Sequence, residues 1–136
     1  MECNSAHHQT LMTIETAEQW VDRSNHKDLE GLLGLTAPQI EIAGPRGAGF
    51  MNNADLEEWL ERANLQMATL NRYAKDEWIV LEQHGTWLDE DGRIKGEAIV
   101  FTVLCVKDRK VHSLARYDGK EQAFQASGLS DEDKVG

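Results

Sequence analysis

The segment Ile99-Val-Phe-Thr-Val-Leu-Cys-Val106 constrains this chain more than any other, because only Thr102 interrupts its apolar run. It has the length of a strand, and a strand sends alternate side chains to opposite faces. A half-covered strand alternates apolar with polar residues; this one does not, so both of its faces need cover. The chain must pack material on each side of this strand or borrow one cover from a second copy. With 136 residues it suits a single domain. A chain of that size buries roughly two-thirds of its unfolded surface, so neither a disulfide nor a metal is required for stability.

The rest of the pattern supplies the other elements. Residues 1–12 show no clear period and are expected to be a flexible tail. From Thr13, the residues Ile14, Ala17, Trp20 and Val21 recur at helical spacing, and Asn25-His26 ends the run. A second short helix is predicted over 27–33, with Leu29, Leu32 and Leu33 as its stripe and Gly34 as its stop. Ile40 and Ile42 flank Glu41 as a short strand, and the glycines and proline of 44–49 read as a loop. Asn53 is placed to cap a third helix over 54–66, striped by Leu56, Trp59, Leu60 and Ala63.

Strands are then predicted at 67–75, 77–88, 95–106 and 111–117. They are joined by turns at Asp89-Glu-Asp-Gly92 and at Asp108-Arg109-Lys110, the second without glycine. A closing helix spans 121–127 with Gly128 after it, and 131–136 is expected to be a flexible acidic tail. Residues 13–130 thus form one domain of the α+β class, with helices on one face of a curved antiparallel sheet. A cavity is expected between helices and sheet, where a small ligand would sit.

Charge and composition limit the partners. Asp and Glu outnumber Lys and Arg by 24 to 14, a formal net charge of −10, so a phosphate backbone would be repelled and nucleic acid is not expected as a partner. No apolar run reaches the roughly 18 residues of a membrane span, and the N-terminus lacks a signal-peptide pattern, so a cytoplasmic protein is expected. Cys3 and Cys105 fit that compartment as unbridged thiols. Gly44-Pro-Arg-Gly-Ala-Gly49 lacks the lysine and Ser/Thr of a phosphate loop, and His7-His8 has no further ligand at zinc spacing. No cofactor and no metal are expected.

Several local strings agree, in order and spacing, with a known family. They are Asp28-Leu-Glu-Gly-Leu32, Ile40-Glu-Ile-Ala-Gly-Pro-Arg-Gly47, Leu56-Glu-Glu-Trp-Leu60, Glu82-Gln-His-Gly-Thr-Trp87, Lys110-Val111 and Ala115-Arg-Tyr-Asp118, followed by Gly128-Leu129. Through them the chain resembles a SnoaL-like member of the nuclear transport factor 2-like superfamily over about residues 13–130. The resemblance implies a cone-shaped, cystatin-like α+β roll or barrel with a ligand pocket. The superfamily hosts ketosteroid isomerase, polyketide cyclase, epoxide hydrolase, dehydratase and non-catalytic binding modules, so fold does not decide function. Ketosteroid isomerase chemistry needs a carboxylate base and two acidic donors at the enolate oxygen. The matching positions here are Gly44, Trp20 and the strand near Thr102, and none carries the required group. Glu41 points away from the Ile40 and Ile42 face by strand alternation.

What remains is a set of candidates. Along 79–88, Ile79, Leu81, Gln83, Gly85 and Trp87 share the more apolar face, and Val80, Glu82, His84, Thr86 and Leu88 share the other. Ligand-pocket candidates are Trp20, Ile42, Trp59, Gln83, Trp87 and Arg116; catalytic candidates are Glu97, His84 and Arg116. Each has a plainer reading. Trp20 and Trp59 lie on helix stripes as core residues do, Gln83 can be a satisfied sheet residue, His84 an ordinary surface histidine, and Glu97 with Arg116 a cross-strand ion pair. The leading expectation is a domain that binds a small hydrophobic molecule. An isomerase, cyclase or hydrolase of the same fold, working through Glu97 or His84 with Arg116, is the alternative. A non-catalytic dimerising module is the third, and a homodimer is expected because the outer face of 99–106 needs cover.

Overall fold

A computed structural model describes residues 2–44, 47–62 and 64–135, and the side chains of 9–43, 49–61 and 64–135. Helices α1 (Glu2–Asn25) and α2 (Leu29–Gly34) come first, then strands β1 (Thr36–Gly44) and β2 (Gly47–Asn52) and helix α3 (Asn53–Arg62). Strands β3 (Leu65–Lys75), β4 (Trp78–Leu88), β5 (Ile94–Lys107) and β6 (Lys110–Tyr117) follow. Helix α4 (Lys120–Ser127), a 3-10 turn (Asp131–Asp133) and a two-residue strand β7 (Lys134–Val135) complete the chain. The strands form one sheet in the order β2-β1-β6-β5-β4-β3-β7. The sheet is curved but does not close, so the barrel implied by the family resemblance is here an open wrap.

Strand β5 is buried on both faces from Val100 to Val106, while Ile99, expected to be covered with them, stays exposed. Toward α1, α2 and α3, its Leu104 and Val106 pack with Ala17, Trp20, Leu32, Leu56, Leu60, Ile79 and Leu81. On the outer face, its Phe101 and Val103 pack with Tyr73, Val80, Ala115, Ala123 and Leu129. The outer cover therefore comes largely from α4 of the same chain. That helix ends where Gly128 takes φ +78, the left-handed conformation that lets the chain turn back to Leu129. Glycine is not needed at the β5–β6 turn, where Asp108 and Arg109 take φ 52 and φ 62. That pair of positive angles is the one a two-residue hairpin needs.

Four features differ from the sequence-based expectation. First, α1 begins at Glu2 rather than Thr13. No glycine or proline interrupts this stretch, and tertiary contacts hold it. The Gln9 side chain donates to the Val106 carbonyl (3.4 Å), Thr10 Oγ1 accepts from the Asp76 amide (2.9 Å), and Thr13 Oγ1 lies 2.5 Å from the Asp76 carbonyl. Second, part of the glycine-rich loop is strand β2, which pairs with β1 from Gly44↔Gly47 to Gln39↔Asn52. Its glycines weaken the local signal, and only the partner strand makes up for them.

Third, β1 runs parallel to β6, so the sheet is mixed rather than purely antiparallel. Fourth, 131–135 is built into the fold. Ser130 and Asp133 cap each other's backbone amides, Lys120 Nζ lies 2.6 Å from Asp131 Oδ1, and β7 pairs with β3 at Arg72 and Tyr73. Smaller shifts trim α3, expected at 54–66, to 53–62. Its reciprocal cap joins Asn52 Oδ1 to the Asp55 amide (2.9 Å) and Asp55 Oδ2 to the Asn52 amide (3.1 Å).

Thr13 is fully buried, and its hydroxyl joins Thr10 in linking α1 to Asp76 of the β3–β4 turn. Thr13→Val keeps the shape but strands the Asp76 carbonyl. It is expected to lower unfolding free energy by about 1–2 kcal/mol in a urea titration and to speed amide exchange over residues 9–13.

Candidate functional site

The inward residues of the sheet and the helices leave two adjoining hollows. The inner one is about 190 Å³ and is walled by Trp20 of α1, Ile42 and Ala43 of β1, Met51 of β2, Trp59 of α3, and Leu114 and Arg116 of β6. The outer cleft is open and about 820 Å³. Trp59, Leu65, Trp87, Leu88, Lys95 and Arg116 line it, with Asp55, Glu58, Asp89 and Glu90 among its acidic groups. Trp59 and Arg116 belong to both and form the wall between them.

Strand parity puts Arg116 there. It stands opposite Thr102, two residues along from Leu114, and shares the helix-facing side of the sheet. The Arg116 guanidinium carbon lies 5.8 Å from the centroid of the Trp59 ring, and Trp59 in turn stacks on Trp20 at 6.2 Å. Among the described residues no carboxylate forms an ion pair with Arg116, and its Nε is sealed from solvent with no acceptor. Burial pushes the arginine pKa down, because desolvation disfavours its charged form.

Two other polar side chains of this interior, Trp20 and Gln83, are already engaged. Trp20 Nε1 donates to Thr36 Oγ1 (3.0 Å), which donates to the Leu32 carbonyl (2.7 Å). Gln83 is buried and lines neither hollow. Its Oε1 accepts from Thr102 Oγ1 at 2.8 Å and its Nε2 donates to Thr69 Oγ1 at 3.2 Å. Trp87 has room because Gly85 is bare. A Cβ there would sit 3.3 Å from the Trp87 ring and 3.2 Å from Met67 Sδ.

His84 and Glu97 stand elsewhere. His84 is registered with Ile99 and Glu97 with Thr86, on the side of the sheet opposite Arg116. There they pair with each other, His84 Nε2 to Glu97 Oε1 at 3.5 Å, both largely exposed. The expected Glu97–Arg116 cross-strand pair does not form, and the catalytic trio is not assembled, because the two acid–base candidates have the opposite strand parity. Glu41 likewise turns to the outer face, where it lines a separate small hollow with Trp78 and Tyr117. Cys105 is buried, and its thiol pKa is raised by that burial and by Glu77, the reverse of an activated nucleophile. No three His, Cys, Asp or Glu side chains gather into a metal site among the described residues.

Sequence reasoning missed Met51, Leu114, Asp55, Glu58, Lys95 and the 89–90 turn as lining residues. Leu114 could have been found, since it shares parity with Arg116. The others come together only when α3 and the β4–β5 turn close over the sheet end.

The chain matches no protein-family model and no curated protein sequence. Solved structures do resemble it. A protein of unknown function from Cytophaga hutchinsonii, described as NTF2-like, superposes with a TM-score of 0.66 at 11% identity, covering 82% of this chain and 94% of that one. A Mycobacterium tuberculosis protein, solved in complex with estradiol-17β-hemisuccinate, reaches 0.69 at 14% identity and covers 81% and 95%. TerC, co-crystallized with polyporic acid, reaches 0.67 at 16% identity and covers 85% and 97%. The architecture is that of an α+β wrap with a hollow between helices and open sheet. The chain has the nuclear transport factor 2-like fold.

The buried Gln83 bridge ties β3, β4 and β5 together through Thr69 and Thr102. Gln83→Leu leaves the Thr102 hydroxyl without its acceptor in a dry interior. A loss of about 1–3 kcal/mol in chemical denaturation is expected.

Proposed function

We propose that this chain binds a small, mainly hydrophobic molecule in the paired hollows between α1, α3 and the inner face of the sheet. The observation that carries this is the inner hollow itself, where the stacked Trp20 and Trp59, Ile42, Met51 and Leu114 surround one half-buried cation, Arg116, whose Nε is sealed from solvent. Aromatic walls with few polar groups suit an apolar body held in one orientation. Trp59, Trp87 and Arg116 continue the same lining into the outer cleft, where a larger part of the ligand would lie. The ligands seen with the Mycobacterium tuberculosis protein and with TerC support the reading by analogy of fold. This is the binding activity implied by the SnoaL-like resemblance. An isomerase, cyclase or hydrolase built on His84 or Glu97 gains no support from their place on the far face.

The test is a titration of intrinsic tryptophan fluorescence, paired with thermal unfolding, against steroids, flat aromatic ketones and hydrophobic acids. Saturable quenching and a rise in Tm are expected for at least one class, both weakened by Trp59→Ala. Flat responses across all three classes would overturn the reading.

The same reading includes a cytoplasmic location and a homodimer. α4 covers the outer face at Phe101 and Val103 but not at Ile99, which is 41% exposed. An isologous contact across that uncovered part is the simplest cover. Light scattering should give twice the 15.3 kDa chain mass, and a monomer mass would remove this part of the proposal.

A further inference from the structure

The place of Arg116 narrows the ligand further, resting on the binding reading above. Arg116 is half-buried, with its Nε sealed from solvent and without an acceptor, and a cation partly withdrawn from water with no counter-charge carries a desolvation cost. Here the ring of Trp59 offsets part of that cost, and no carboxylate of the described chain supplies the rest. Besides Arg116, the Trp59 N–H is the one donor lining the inner hollow that no hydrogen bond among the described residues engages, and it carries no charge. Trp20 spends its N–H on Thr36, Gln83 is held between Thr102 and Thr69, and the other walls are apolar.

The outer cleft has the opposite character. Asp55, Glu58, Asp89 and Glu90 face Lys95 across it, on a chain whose net charge is already −10. Asp55 and Asp89 are also fixed in place by their own backbone hydrogen bonds, Asp55 as the α3 cap and Asp89 in the β4–β5 turn. A negative group at that end of a ligand would sit beside fixed carboxylates.

We propose that the ligand is an amphipathic monoanion, its single oxyanion held by Arg116 at the wall between the hollows, its body apolar, and that the acidic outer cleft rejects a second negative group. Guanidinium and oxyanion form charge-assisted hydrogen bonds, stronger in a water-poor site than those to a neutral oxygen. Repulsion at the outer cleft acts partly through solvent, so added salt weakens it. A dianion is therefore disfavoured most at low ionic strength.

Three probes on one skeleton test this by calorimetry: naphthalene-2-carboxylate, naphthalene-2-carboxamide and naphthalene-2,6-dicarboxylate. The monocarboxylate is expected to bind about 10- to 100-fold tighter than the carboxamide, the worth of one or two charge-assisted hydrogen bonds. The dicarboxylate should bind more weakly than the monocarboxylate at low salt, with the gap narrowing at high salt. Arg116→Met should erase the preference for acid over amide, and Arg116→Lys should keep part of it. Circular dichroism on both variants shows that the fold is retained. Equal affinity for acid and amide in the wild-type protein, or no saturable binding of the acid, overturns the monoanion proposal. If the hydrophobic panel above still binds in that case, the pocket reading stands without it. Undiminished binding of the dicarboxylate at low salt overturns the role given to the acidic cleft.

Discussion

Two-sided burial of β5 ties the whole structure together, because each of its faces gathers a separate set of elements. On the inner face, Leu104 and Val106 give α1, α2 and α3 a surface to pack on. On the outer face, Phe101 and Val103 recruit α4 and the turn at Leu129. The neighbouring strands inherit the same division. Leu81 opposite Thr102, and Thr102 opposite Arg116, form one inward row across β4, β5 and β6. Arg116 faces the hollow because β5 fixes the register of β6, and a one-residue slip would turn it to the outer face.

The same row shows how the interior divides its polar groups. Thr102, Gln83 and Thr69 are neutral and satisfy one another across three strands, as buried polar groups must. Trp20, Thr36 and Leu32 do the same beneath α2. Arg116 is the member left with a ring as its neighbour in place of an acceptor. Unbalanced charge at the wall of a hollow is where a fold of many possible functions acquires a particular one.

Legibility in the sequence differs from residue to residue. Alternation along 79–88 alone separates Gln83 and Trp87 from His84, because the period of a strand is a property of its backbone. The αL glycine at 128 is equally local, since few other residues end a helix that way. Strand β2, the parallel β1–β6 pair and the start of α1 are not legible: β2 has glycines in place of a strand signal and depends on its neighbour β1, and the other two depend on partners distant in sequence. Val106 and Asp76 hold the first helix, β1 holds the glycine-rich strand, and β3 holds the last residues. Arg116 has two rival roles in the sequence, ion pair or anchor, and parity alone cannot choose between them without the register to β5.

Residue types and the fixed periods of helix and strand were enough to settle the fold class and to separate the two faces of the strand 79–88. Which charged groups meet was decided only by the folded chain. It set His84 beside Glu97 on one side of the sheet and left Arg116 with Trp59 on the other. The physical reason is that pairing across strands depends on register and on helix placement, which are settled by the summed packing of both cores rather than by any short stretch of chain.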